Sequence, residues 1–94
     1  MGMRPEMETA ENRLKRLSMR SWRRGTKEMD LVLGPYADAH LAGMAAGELD
    51  LYEKLLEESD PELMAMILGQ REPPAELVGL VARIGVFARA RLGG

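Results

Sequence analysis

Ninety-four residues make one domain, too short for a TIM barrel or a two-domain dinucleotide enzyme, and 46% hydrophobic with 30% charged residues suits a soluble globular chain. The absence of cysteine excludes disulfides, thiol catalysis and cysteine-bound zinc or iron–sulfur clusters, and a single histidine excludes a multi-histidine metal site within one chain. The net charge of −2 is unevenly spread: residues 13–27 hold seven cations and no acid, whereas residues 28–62 hold ten acids against Lys54 alone.

Met1 to Thr9 has no apolar h-region, and Glu6, Glu8 and Glu11 are unlike the acid-poor composition of a mitochondrial presequence. Gly2 follows Met1, but Glu6 stands where a myristoylation signal needs Ser or Thr. No apolar run approaches the ~18–20 residues of a membrane span. A cytoplasmic protein without direct membrane insertion is expected.

Apolar residues recur at helical spacing throughout, and no stretch alternates with period two. A first helix is predicted over residues 9–23, with Leu14, Leu17 and Trp22 inward and Gly25 as its stop. Thr26 caps a second helix with Glu28 and Asp30 in its first turn and Met29, Val32, Leu33 and Tyr36 along one stripe. Gly34-Pro35 predicts a kink or restart there, because proline removes a backbone donor. Gly43 and Gly47 bracket the next break, and Glu48 to Glu58 reads as an amphipathic helix with Leu49, Tyr52, Leu55 and Leu56 inward. Asp60 as cap, Pro61 at the first position and Glu62 in the first turn open a helix that closes at Gly69. Pro73-Pro74 starts the last helix, with Leu77, Leu80, Val81, Ile84, Phe87 and Ala88 inward. The expected fold is therefore all-α, a compact five-helix bundle forming one domain over residues 1–94, with 1–8 and 92–94 frayed.

Catalytic constellations are sparse. His40 has only Ser18, Ser21 and Ser59 as candidate nucleophiles, none in a nucleophile-elbow context. Carboxylate pairs such as Glu57 with Glu58, or Glu48 with Asp50, read as a solvated helical face. Gly25 is isolated and Lys27 lacks the P-loop pattern. Met29, Met44, Met64 and Met66 suit core filling. No catalytic residue, no metal site and no bound cofactor are expected.

The basic block allows two readings. One is intramolecular neutralisation when the helices pack, and the other is a face for an acidic partner or nucleic acid. Within it, Arg23 and Arg24 precede the bare turn at Gly25, and Glu28 follows three residues later. Such a corner can be a plain helical turn with a local Arg24–Glu28 ion pair, or a point that inserts into a partner's cleft.

Arg24-Gly25-Thr26-Lys27-Glu28 matches an R-G-x-x-E signature, Glu48 to Glu57 an E-L-x-x-(F/Y)-E-x-L-L block, and Asp60-Pro61-Glu62-Leu63 a D-P-(D/E)-L block. In this order and spacing, over roughly residues 13–75, they resemble the succinate dehydrogenase assembly factor 2 family, the small FAD assembly factors of bacteria and mitochondria. The chain departs from the family at Met66-Ile67, where many members have tryptophan followed by Ile or Leu, and at Ala65, where an acid is common. The resemblance implies a five-helix assembly factor, not an enzyme. It implies that the chain binds the flavoprotein subunit of succinate dehydrogenase, and in some bacteria fumarate reductase, and promotes covalent attachment of FAD to a histidine of that subunit. FAD then belongs to the client, and the chain is monomeric when free. The partner-binding residues would be Arg23, Arg24, Gly25, Glu28 and Asp30, with Arg24, Gly25 and Glu28 at the client's flavin site. Two alternatives stand beside it: a nucleic-acid-binding helix–turn–helix module, which the acids at Glu28 and Asp30 disfavour, and an antitoxin-like partner of a toxin.

Overall fold

The computed structural model describes residues 8–92. Among them are five α-helices: α1 (Ala10–Trp22), α2 (Lys27–His40), α3 (Ala46–Leu55), α4 (Asp60–Ile67) and α5 (Val78–Leu92). Short 3-10 turns at Leu41–Gly43 and Ala75–Leu77 precede α3 and α5. Of the ends expected to fray, residues 1–7 and 93–94 lie outside the described residues, Glu8 is bound by Arg16 through two hydrogen bonds (2.7 and 2.9 Å), and Leu92 closes α5.

Side-chain caps set most helix starts. The hydroxyls of Thr9 and Thr26 accept from the backbone N–H groups of Asn12 (3.0 Å) and Met29 (3.3 Å). The Glu48 carboxylate reaches back to the N–H of Ala45 (2.9 Å), so α3 begins at Ala46, ahead of the expected Glu48, and it ends at Leu55 rather than Glu58. The cap of α4 is Ser59, which accepts from the Glu62 N–H, and not Asp60 as the sequence suggested. Both residues are good caps; Asp60 is instead engaged by an arginine of the corner described below.

Of the two outcomes expected at Gly34-Pro35, the restart does not occur: α2 runs through both residues. Proline removes one helical hydrogen bond, but Met29, Val32, Leu33, Tyr36 and Ala37 are buried on both sides of it, and this packing keeps the two halves in one helix. Gly34 has a different task. A Cβ at this position would lie 2.3 Å from the indole of Trp22, so α1 and α2 close together only because the side chain is missing. Trp22 itself is 39% exposed, lying across the seam rather than in the core.

The core joins Leu17 of α1, Met29 and Leu33 of α2, Tyr52 and Leu55 of α3, Leu63 of α4, and Leu77 with Ile84 at the C-terminal end. Met66, where the resemblance leads one to expect tryptophan, is buried within the same cluster. One polar pair lies inside: the Ser21 hydroxyl donates to the Leu17 carbonyl (2.8 Å) and meets the Tyr52 hydroxyl (2.6 Å). Burial pushes the Tyr52 phenol up to about 12, and the Ser21 hydrogen bond opposes that shift.

The basic block is largely neutralised within the chain, as the first of the two charge readings expects. Arg13 meets Asp50 (2.6 Å) and Glu53 (3.0 Å), Arg16 meets Glu53 (2.8 Å), Arg20 approaches Glu57 (3.7 Å) and Arg24 binds Asp60 (2.8 Å). Both series climb together, so α1 and α3 run in the same direction with an arginine stripe facing a carboxylate stripe. Asp50 and Glu57, expected only to face solvent, are thus partners in this ladder.

The hydrogen bond from Arg16 holds the Glu53 carboxyl below its ordinary value of 4.5, with burial opposing and Arg13 assisting. A carboxylate with a lowered folded-state pKa stabilises the fold fully above the unfolded value and loses that contribution as pH falls through the folded one. Thermal melts should therefore show stability dropping once pH falls below about 4.5. Glu53→Gln should be less stable near neutrality by at most about 1 kcal/mol and should show a shallower acid decline. An unchanged acid slope in Glu53→Gln would show that Glu53 does not contribute to it.

Candidate functional site

The corner between α1 and α2 is built around a backbone requirement. Gly25 has φ +113°, a conformation that side-chain-bearing residues rarely adopt. Space is not the reason for glycine, because a Cβ there would meet only Asp60 Oδ2, at 3.9 Å.

The five residues expected to contact a partner divide into two groups. Arg23, Gly25 and Glu28 are exposed on the outside of the corner, beside exposed Thr26 and Lys27. Arg24 and Asp30 are turned inward. The Arg24 side chain is 9% exposed and donates from Nε to Asp60 Oδ1 (2.8 Å), from Nη1 to the Leu56 carbonyl (2.7 Å) and from Nη2 to the Glu58 carbonyl (2.5 Å). The expected local ion pair between Arg24 and Glu28 is replaced by this long-range set, which engages all three guanidinium nitrogens. Asp30 Oδ1 accepts from the Arg24 backbone N–H (2.6 Å), so its carboxylate closes the turn rather than facing outward. Thr26 Oγ1 donates to Asp60 Oδ2 (3.2 Å).

Asp60, whose side chain is 13% exposed, is thus a component of the corner that sequence reasoning missed. A signal existed: Arg13, Arg16, Arg20 and Arg24 repeat along one helical stripe, and Asp50, Glu53, Glu57 and Asp60 repeat with similar spacing.

Beside Glu28 an apolar groove of about 740 Å³ runs between α2, α4 and α5, walled by Leu31, Val32, Met64, Ile67 and Leu68. Leu31 and Leu68 are 47% and 60% exposed. The outer corner therefore offers a bare backbone turn, a carboxylate at a helix start, two exposed cations at Arg23 and Lys27, and apolar surface alongside. Such a surface is suited to recognition. Among the described residues no group of three or more His, Asp or Glu side chains is placed to hold a metal ion.

Residues 15–88 match the sequence profile of the family described as flavinator of succinate dehydrogenase, a span that includes the corner and all of its partners. The chain belongs to this flavinator family. Among its relatives, the FAD assembly factor SdhE of Acetobacter pasteurianus is 36% identical over 83 residues, covering 87% of this chain and 76% of that protein. The FAD assembly factor SdhE of Legionella pneumophila strain Lens is 34% identical over 74 residues, covering 79% of this chain and 94% of that protein. The mitochondrial succinate dehydrogenase assembly factor 2 of Cryptococcus neoformans is 36% identical over 64 residues, covering 68% of this chain and 37% of that protein. Flavinator family membership agrees with the resemblance carried by the three sequence blocks. Among the described residues no helix is long and apolar enough to cross a membrane.

Proposed function

We propose that this chain is an assembly factor that binds the flavoprotein subunit of succinate dehydrogenase and promotes covalent attachment of FAD to it, with the outer face of the α1–α2 corner as the contact. The observation that carries this reading is the exposed Arg23, Gly25 and Glu28 constellation inside the span shared with the flavinator family. In this reading the chain is not an enzyme and holds no flavin or metal of its own; the client and its flavin form the bond. The residues support that division. The chain has no cysteine, and its one histidine, His40, closes the far end of α2 and packs against Tyr36 (4.5 Å) and Phe87 (5.3 Å). A binding partner promotes a reaction only by favouring the reactive state of its client over the others. Gly25 supplies close approach, and Glu28 supplies a carboxylate at the client's flavin site. The chain is monomeric until it meets the client and works in the cytoplasm.

The nucleic-acid alternative is disfavoured by the same geometry. Arg13, Arg16, Arg20 and Arg24 are engaged with carboxylates, and Glu28 stands exposed where a recognition helix would meet phosphates. An antitoxin-like role would appear as co-purification with a toxin instead of a flavoprotein.

Glu28→Ala separates these readings. Flavin-free flavoprotein subunit, FAD and this chain are combined, and covalent flavin is read by in-gel fluorescence. The variant should lower the covalent yield several-fold while its melting temperature stays within a few degrees, since a first-turn acid contributes only about 0.3–1 kcal/mol. A nucleic-acid binder would bind unchanged or more tightly after losing an acid. Normal flavin attachment with Glu28→Ala would remove the role assigned to this residue.

A further inference from the structure

The structure assigns Arg24 and Asp60 a shared positioning role: as one ion pair they hold the Gly25 turn and Glu28 in the conformation that meets the client, and the Arg24 guanidinium does not touch the client itself. This rests on the function proposed above and changes what the arginine of the motif does within it.

Three features carry the inference. The first is the inward engagement of the whole side chain. Every nitrogen of the guanidinium already donates, to Asp60 Oδ1, the Leu56 carbonyl and the Glu58 carbonyl. Those carbonyls follow the end of α3, where backbone acceptors lack helical donors, and Asp60 opens α4, where a negative charge is favoured. One side chain thereby ties the corner to the junction of two other helices. Turning outward would forfeit all three bonds and leave a largely covered carboxylate without its cation.

The second feature is symmetry about the glycine. Asp60 receives the Arg24 side chain through Oδ1 and the Thr26 hydroxyl through Oδ2, so one carboxylate grips the residues on both sides of Gly25. Asp30 adds a third hold through the Arg24 backbone N–H. A turn at φ +113° is thus fixed by its neighbours.

The third is the direction of what remains. With Arg24, Asp30 and Asp60 facing inward, the outer face is left to Gly25, Glu28, Arg23 and Lys27. Arg24→Lys is no conservative change under this arrangement, because an ammonium lacks the planar fork that spans three acceptors.

The test is a double-mutant cycle of Arg24→Ala and Asp60→Ala. Binding to flavin-free succinate dehydrogenase flavoprotein subunit in the presence of FAD is measured at a temperature where circular dichroism shows every variant folded. Each single variant should weaken binding by about tenfold, and the double variant should be no weaker than the worse single, as for residues acting as a unit. Arg24→Lys should weaken binding like Arg24→Ala. Single variants differing by more than about threefold, losses that add in the double variant, or wild-type binding by all variants would each overturn the positioning role. Should Asp60→Ala not fold, Asp60→Asn takes its place in the cycle. If the wild-type chain does not bind the flavoprotein, the proposed function fails, and the positioning role is decided on the free protein. There, Asp60→Ala should move the Gly25 and Glu28 amide resonances and hasten their hydrogen exchange, and unchanged amides would overturn it.

Discussion

Gly25→Arg will give a folded helical protein that no longer supports flavin attachment, whereas Gly25→Ala will lose similar stability and keep most of its activity. Both variants place an L-residue at φ +113°, which costs on the order of 1–3 kcal/mol. For a domain of this size each kcal/mol lowers the melting temperature by about 4–8 °C. Neither change is blocked by the described residues, since beyond its chain neighbours a new Cβ would meet Asp60 Oδ2 alone, at 3.9 Å. The two variants differ in what they project outward. Alanine adds one methyl group to the exposed turn; arginine adds a long cation beside Arg23 and Lys27. Circular dichroism melts and in-gel fluorescence of the client's flavin distinguish the outcomes. Equal loss of activity in both variants would mean that Gly25 serves only its own backbone, and that close approach to the client is not its task.

A second large effect on stability is expected at Gly34. A Cβ there would overlap the Trp22 ring at 2.3–2.5 Å, so Gly34→Val must expel the indole from the α1–α2 seam. Overpacking of this kind costs about 1–3 kcal/mol, and valine's modest helix propensity recovers only part of it. Trp22 also loses the approach of its Nε1 to the two Asp38 carboxylate oxygens, both at 3.3 Å. A fall in melting temperature of about 5 °C or more is expected. Flavin attachment should persist at temperatures below the melt, because neither residue faces the corner's outer surface. A Gly34→Val protein as stable as wild type would show that the ring relocates without loss.

What was legible in the sequence follows from the reach of each rule. The buried stripes of α2 and α3 were read residue by residue, because helical periodicity depends only on neighbours three and four positions apart. Gly25 as a left-handed stop was readable for the same local reason. Local rules failed where distant packing decided. Gly34-Pro35 looks like a break in isolation, and only the indole from α1 and the buried residues on both sides of Pro35 explain a continuous helix. Ser59 and Asp60 are equivalent caps on paper, and the arginine 36 positions upstream decides between them. The motif was likewise locatable, but the direction of its side chains was not. Whether Arg24 faces a partner or its own chain depends on where the α3–α4 junction docks, and periodicity does not specify how helices pair.

The seating of Trp22 on Gly34 also makes the molecule optically self-reporting. This is the chain's single tryptophan, so its emission describes one environment and needs no deconvolution. The ring is neither buried nor free, and it stands three residues before Gly25. A shift in its fluorescence therefore records the departure of α1 from α2 at the end that carries the corner, and refolding there can be followed in real time without an attached dye.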